Sequence, residues 1–271
     1  MTSTFATPAR PIGRYGIGRV VGAGSDILAV AGRNLLTYRR VPQLLVFSTI
    51  QPVVFVLLFR YVFGGAIRVP GVSYVDYLMP GIFIQTAVFG SLGTAVGLST
   101  DLNTGLLERF RSLPMARSAV LAGRTAADLT RNLFVVMLMV AVGFAVGFRV
   151  HTGPGAFIAA IGLVLLFGYV LSWVLATVGL VVGDPEAAQA AAFPVIAPFV
   201  FASSAFVPVS SMPAWLRVFA EHQPVSVTTS AVRTLVLGGS AGPEVLKTLA
   251  WSAAILLVFV PLSVWRYQRT A

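Results

Sequence analysis

Long apolar runs alternate with short polar segments along this chain, and the length of the runs is their first message. A helix needs about 20 largely apolar residues to cross a hydrocarbon core about 30 Å thick. Six runs approach that length: Gln43–Phe63, Leu78–Leu98, Leu133–Val150, Ala156–Val182, Gln189–Val207 and Leu246–Trp265, one of them broken by proline. Ahead of the first run, Ile27, Leu28, Ala31 and Leu35 recur at helical spacing among Asp26, Arg33, Asn34, Arg39 and Arg40. This predicts an interfacial helix over Ser25–Arg40, begun by Ser25 and ended by Pro42, against the plainer reading of a solvated lead-in. Residues 1–24 are expected to be a flexible cytoplasmic tail, and 25–271 a single transmembrane domain.

Between the fifth and sixth runs, Val207–Lys247 is too interrupted for a span and too apolar for a loop. Ser211 can cap a helix with Pro213 near its first turn, Gln223-Pro224 breaks it, and a second short helix runs from Ser226 to Leu237 before Gly238-Gly239. Two short helices that leave and re-enter the outer leaflet fit this pattern. The expected fold is therefore all-α and integral to the membrane. It has six transmembrane helices, an N-terminal interfacial helix, a short cytoplasmic helix between spans two and three, and a re-entrant helical hairpin before span six.

Composition agrees: 57% of the 271 residues are hydrophobic and 10% charged, with a mean hydropathy of +0.87, where a soluble domain carries about a quarter charged residues. The net charge of +10 does not point to nucleic acid, because its arginines lie between apolar runs and not on one dense basic face. Their placement sets an orientation instead. Arg10, Arg14, Arg19, Arg33, Arg39 and Arg40 precede the first span. Arg109, Arg111, Arg117, Arg124 and Arg131 lie between spans two and three, and Arg266 and Arg269 follow the last. These three segments share one side of a six-span protein, so both termini are expected in the cytoplasm.

Several chemistries find no residues to carry them. With no cysteine there is no thiolate site and no disulfide framework. Lys247 follows Val245-Leu246 and not a glycine, so no phosphate-cradling loop of the G-x-x-x-x-G-K-[ST] type exists, and the glycines of Gly16–Gly22 miss the dinucleotide spacing. His151 and His222 lack clustered carboxylates, which disfavours a metal site, and Ser203-Ser204 have no base partner for hydrolysis. All nine acids are expected in loops, interfacial helices or span ends, which disfavours an ion-coupled carrier. Any ATP-driven task then needs a separate ATPase.

The segment Thr100–Arg117 has more structure than a solvated loop requires. Asp101 can cap a short helix that Pro114 ends, carrying Glu108, Arg109 and Arg111 beside Leu106, Leu107 and Phe110, a knob suited to a partner's cleft. With Glu108-Arg109 followed by Leu113-Pro-Met-Ala-Arg117, with Glu221-His-Gln-Pro-Val-Ser226 before the last span, and with this order of spans, the chain resembles the ABC-type-2 exporter permeases. Among these it is most similar to the daunorubicin/doxorubicin-resistance-like permeases of actinobacteria. The resemblance covers about Ser25 to Arg269 and departs from the commoner pattern at Phe110-Arg111-Ser112, where many members carry a small-residue turn.

The resemblance implies a half-transporter for drugs, antibiotics or lipids in the plasma membrane. Two such permeases, identical or related, would form the path, and two cytoplasmic ATPase subunits would hold ATP and Mg and grip Asp101–Ser112. It also places His222 and Gln223 near the exit, although Gln223-Pro224 can equally be a simple helix break. Gln51 and Gln85 either face the path or bond between helices. Asp184 and Glu186 either touch the ATPase or cap span five. Gly93/Gly97 and Gly143/Gly147 are read as packing within the chain. A non-transporting scaffold and an ion-coupled carrier remain the alternatives.

Overall fold

The computed structural model describes residues 43–67, 69–104 and 117–269. The predicted interfacial helix Ser25–Arg40 and the tail before it lie outside the described residues, as do Leu106, Leu107, Glu108, Arg109, Phe110 and Arg111. Among the described residues every regular element is helical: α1 (Gln43–Leu57, continued by a wider π-type turn over Leu58–Phe63), α2 (Tyr74–Gly90), α3 (Leu92–Asn103), α4 (Arg117–Ala145), α5 (Pro154–Val182), α6 (Pro185–Phe201), a 3-10 turn (Val209–Ser211), α7 (Ala214–His222), α8 (Pro224–Leu237) and α9 (Gly242–Arg269).

Four helical stretches are long and apolar enough to cross a bilayer: Tyr74–Asn103, Gly123–Ala145, Pro154–Val182 and Gly242–Arg269; Ser48–Phe63 is shorter but apolar. The second predicted span is thus a helix pair, α2 and α3, joined at Ser91. The third begins earlier than its apolar run suggests and stops at Ala145, because Gly147 takes a positive φ of 102°. The fifth is shorter than predicted. α6 spans 17 residues with Pro194 and Pro198 inside it, a rise of only about 25 Å, and its last turn gives way at Ala202 to irregular backbone.

α5 sits at the centre, packed on α3, α9, α8, α4 and α2. Its buried face runs through Leu163, Val164, Phe167, Leu171, Leu175 and Ala176, and it meets α3 so closely that a Cβ at Gly179 would lie 2.4 Å from the Ala95 carbonyl oxygen. α9 lies at the edge. Only 11% of its apolar window is buried, Leu246, Leu257 and Val258 are exposed, and Thr177 and Ser263 hydroxyls 2.7 Å apart tie it to α5. Exposed apolar residues on a helix of this length are what lipid contact requires.

The backbone between α6 and α7 is irregular yet largely buried, and side chains from α2 and α8 satisfy it. Tyr74 Oη donates to the Phe206 carbonyl at 3.1 Å, and Tyr77 Oη to the Ser204 carbonyl at 3.1 Å. Arg233 on α8 donates to the Ser204 carbonyl at 2.9 Å and to the Tyr77 carbonyl at 3.1 Å, its guanidinium 3.6 Å from the centre of the Tyr77 ring. The Ser204 amide donates to Ser226 Oγ at 3.0 Å. Non-helical backbone at membrane depth survives only when protein or water supplies such partners.

Two helices do follow α6 and meet at Gln223-Pro224, but their caps differ from the expected ones. Ser211 closes the 3-10 turn by donating to the Pro208 carbonyl at 2.6 Å, while α7 starts after Pro213 without a side-chain cap. α7 exposes Trp215, Val218 and Phe219, an apolar face suited to the membrane interface. α8 instead buries Val225 through Thr229, Ala231, Val232 and Val236 within the bundle.

Candidate functional site

The polar residues just ahead of the third apolar run gather on the face of α4 that meets α2 and α3. Arg124 Nη1 donates to the Asp101 carboxylate at 2.8 Å and to the Gly97 carbonyl at 3.2 Å. One turn further along α4, Asp128 accepts from Thr94 Oγ1 at 2.6 Å. Then Arg131 donates to the Gly90 carbonyl and at 3.3 Å to Asn132 Oδ1. Residues three and four apart share a helix face, so positions 90, 94, 97 and 101 meet 131, 128 and 124 as rungs of one ladder. Small residues make room for it: a Cβ at Gly97 would lie 1.2 Å from Arg124 Nη2, one at Gly93 2.9 Å from Arg131 Nη1, and one at Gly90 2.2 Å from Asn132 Oδ1.

This ladder corrects three expectations. Asp101 does not begin a separate short helix; it lies in the last turn of α3, which runs on to Asn103 because Arg124 holds its carboxylate against the helix. Arg124 and Arg131 are not loop residues but partly buried groups on a membrane-length helix. Asp128 is not in a loop or at a span end: it sits inside the apolar stretch Gly123–Ala145 and is 2% exposed. The Gly93/Gly97 pair packs within the chain, as read from sequence, and Gly143 does the same against Met79; nothing lies near Gly147.

Because both Arg124 and Asp101 are largely shielded from solvent, their pairing is worth more than a surface bridge. Arg124→Glu is expected to lower stability by about 1–2 kcal/mol. The double variant Asp101→Arg/Arg124→Glu is expected to recover most of that loss, read as the midpoint of thermal unfolding in lipid nanodiscs.

At the upper end of the ladder α1, α2 and α4 enclose a cleft of about 80 Å³. Gln51 and Pro52 come from α1, Gln85 and Phe89 from α2, and Arg131 and Asn132 from α4. The two glutamines singled out from sequence therefore line one site, together with an arginine and an asparagine that sequence reading assigned to a loop and to no role. Gln51 is exposed and Gln85 is 1% exposed. Neither the amide nitrogen nor the amide oxygen of Gln85 has a hydrogen-bond partner.

The other predicted positions lie apart from this cleft. Asp184 caps α6, accepting from the Ala187 amide at 2.8 Å, with Glu186 exposed in the first turn; of the two readings for Asp184, this is the capping geometry. Gln223 caps α8, its Oε1 accepting from the Val225 amide at 2.8 Å while its Nε2 donates to the Phe199 carbonyl at 2.9 Å. His222 is exposed, with Nδ1 2.9 Å from the Val218 carbonyl oxygen. At the end of the bundle shared with α8, a cluster forms that no motif announced. Asp76 is bonded by Ser73 Oγ at 2.7 Å and by the Arg149 amide at 2.8 Å, and lies 3.2 Å from His151 Nε2. These groups pin the α4–α5 connection to the start of α2.

Lipid-length helices wrapped around an internal polar ladder, with irregular backbone sealed inside the bundle, define a multi-pass membrane protein. The sequence profile of the ABC-2 type transporter family matches residues 25–237, and the chain belongs to that family. It is similar to the "Daunorubicin resistance ABC transporter permease protein DrrB1" of Streptomyces coeruleorubidus, with 31% identity over 91% of this chain and 87% of the relative. It is similar also to the "Probable doxorubicin resistance ABC transporter permease protein DrrC" of Mycobacterium tuberculosis, with 30% identity over 83% and 81%. A third relative, the "Doxorubicin resistance ABC transporter permease protein DrrB" of the same organism, is 28% identical over 84% and 86%. In this family the permease is the transmembrane subunit of an ABC transporter, and the ATPase is a separate partner.

Proposed function

We propose that this chain is the permease subunit of an ATP-driven exporter of hydrophobic or amphipathic compounds, drugs foremost. The observation that carries the reading is family membership across residues 25–237, with relatives named for daunorubicin and doxorubicin resistance over most of the chain. The chain offers no phosphate-cradling loop, so two ATPase subunits carry ATP and Mg, and a second permease, identical or related, completes the path. Six spans cross the plasma membrane: α1, α2 with α3, α4, α5, α6 and α9. Both termini are cytoplasmic, residues 1–24 form a tail, and α7 and α8 form the re-entrant outer hairpin.

In this reading the segment after α3, with Leu106, Leu107, Glu108, Arg109, Phe110 and Arg111, docks in the ATPase. The ladder from Asp101–Arg124 to Gly90–Arg131 joins the helices on either side of that segment, so a push on it moves α3 and α4 together. Asp184 and Glu186, exposed at the start of α6, offer the ATPase a second contact. Gln51 and Gln85 belong to the path, and His222 and Gln223 to its outer end.

Replacement of both Glu108 and Arg109 by alanine is expected to reduce transport-linked ATPase activity of the reconstituted complex about tenfold. Expression and co-purification of the permease are expected to be unchanged. Unaltered ATPase activity and transport would remove these residues from the docking contact. Buried Asp128 is the one observation that favours an ion-coupled carrier, but its carboxylate is held by Thr94. Transport driven by a proton gradient in the absence of any ATPase is the result that favours the carrier.

A further inference from the structure

Burying a carboxamide without partners costs about 1–3 kcal/mol, and Gln85 leaves both ends of its amide unbonded inside the cleft. Its neighbours do not use it. Thr86 donates instead to the Ile82 carbonyl of its own helix at 2.7 Å, and Asn132 lies against Arg131. A buried amide left open in a site lined by five more polar side chains marks a place completed by something outside the chain.

The lining says what that group is. Gln51, Gln85 and Asn132 each bring an amide oxygen as well as N–H donors, the Ser48 and Thr86 hydroxyls can do both, and Arg131 adds a guanidinium that only donates; with no carboxylate in the lining, donors exceed acceptors and the guest is rich in acceptor oxygens. The volume says how much of it enters. About 80 Å³ has room for the polar end of a molecule, whereas pockets that enclose a drug-sized ligand run to roughly 300–1,000 Å³. Phe89 and Pro52 supply apolar walls beside the donors, and lipid-facing α1 forms one side.

We propose that this cleft is a head-group subsite: it takes the oxygen-bearing end of an amphipathic molecule arriving from the bilayer, with Gln85 as the group that reads it. Its hydrocarbon or ring system stays outside, among the apolar side chains around the mouth. Two sources carry such a head, a transported drug and a phospholipid. The proposal rests on the exporter reading only for the choice of drug probe.

The test uses the permease with its ATPase partner in nanodiscs, with two probes and one control. Daunorubicin binding is followed by its fluorescence, and retention of phosphatidylglycerol by native mass spectrometry. Diphenylhexatriene, a hydrocarbon without acceptors, is the control. Gln85→Leu is expected to weaken daunorubicin or phosphatidylglycerol five- to tenfold, the worth of one or two hydrogen bonds, and to leave the hydrocarbon unchanged. Thermal stability without ligand is expected to hold or rise, since an unpartnered amide is replaced by an apolar side chain of similar size. Gln51→Leu, at an exposed position, is expected to weaken the same probe two- to threefold.

Loss confined to daunorubicin assigns the subsite to the transported molecule, and loss confined to phosphatidylglycerol assigns it to a lipid. A wild-type complex that holds the lipid through Gln85 but neither binds nor exports daunorubicin removes the drug-exporter reading and keeps the subsite. Equal affinities for both probes in wild type and Gln85→Leu, with daunorubicin still exported, overturn the subsite and keep the exporter. Equal weakening of the hydrocarbon, or a loss of thermal stability in Gln85→Leu, also overturns it, because Gln85 is then a packing residue.

Discussion

Replacing Arg233 with leucine is expected to destabilise the protein by about 2–4 kcal/mol and to loosen the junction between α6 and α8. The side chain reaches across three elements. It donates to the carbonyls of Ser204 and Tyr77 and lies 3.6 Å from the centre of the Tyr77 ring. Leucine would keep much of the volume but remove the charged donor to both carbonyls, about 1.5–3 kcal/mol for a hydrogen bond to a charged group, and leave the Ser204 carbonyl to Tyr77 Oη alone. The ring contact adds about 1 kcal/mol in a partly desolvated setting. Lysine would keep the charge but not the planar fork that reaches both carbonyls and lies over the ring, so Arg233→Lys is expected to recover less than half of the loss. Thermal unfolding in lipid nanodiscs reads the first effect, and amide hydrogen exchange over residues 202–208 reads the second. A variant with unchanged exchange in that segment would show that the tyrosines alone hold it.

The second large effect is expected from a single methyl group. A Cβ at Gly81 would lie 2.0 Å from the carbonyl oxygen of Ala205 and 2.7 Å from its Cα, and backbone cannot rotate aside as a side chain can. Gly81→Ala therefore has to push the α2 axis away from the 202–208 segment, lengthening the Tyr74 and Tyr77 hydrogen bonds that cross the same gap. Overpacking of this kind costs about 1–3 kcal/mol, and the strained bonds place Gly81→Ala at the upper end. Gly65→Ala is the matched control: no atom lies within 4 Å of its Cβ, and its effect is expected to stay within about 0.5 kcal/mol. Both are read as unfolding midpoints under the same conditions, and equal midpoints would mean the α2 contact is not close in the membrane.

Much of the architecture was legible because hydrocarbon is an unforgiving solvent. The fourth run matches α5 to within two residues and the first matches α1 with its extension, since each is a continuous apolar stretch with helix-stopping residues beyond it. The largest misplacement has a single cause. The third run starts at Leu133 in the sequence because Arg124, Asp128 and Arg131 read as loop chemistry, whereas they lie on a membrane helix's inward face. Single-sequence hydropathy averages around the helix and cannot separate a polar stripe turned inward from a polar segment in water. A helical-period reading of 124, 128 and 131 against 90, 94, 97 and 101 is the signal that could have found them.

The candidate site was half legible for the same reason. Gln51 and Gln85 stood out as polar residues in apolar runs, but Arg131 and Asn132, which complete their cleft, were hidden by the misplaced boundary. Gln223 shows the converse: beside proline it reads as a gate residue or a helix break, and only the structure supplies the hydrogen bonds by which it caps α8.

By itself the sequence determined that this is a helical membrane protein, because that follows from composition and the length of the apolar runs; it also carries no phosphate-cradling motif, from which a separate ATPase is expected. The family, too, was carried by short ordered motifs that need no folding to be read. Only the tertiary structure decided which polar residues face one another. The ladder of α3 and α4, the Arg233 junction and the open amide of Gln85 each depend on groups tens of residues apart in the chain, and no local pattern encodes which of them will meet.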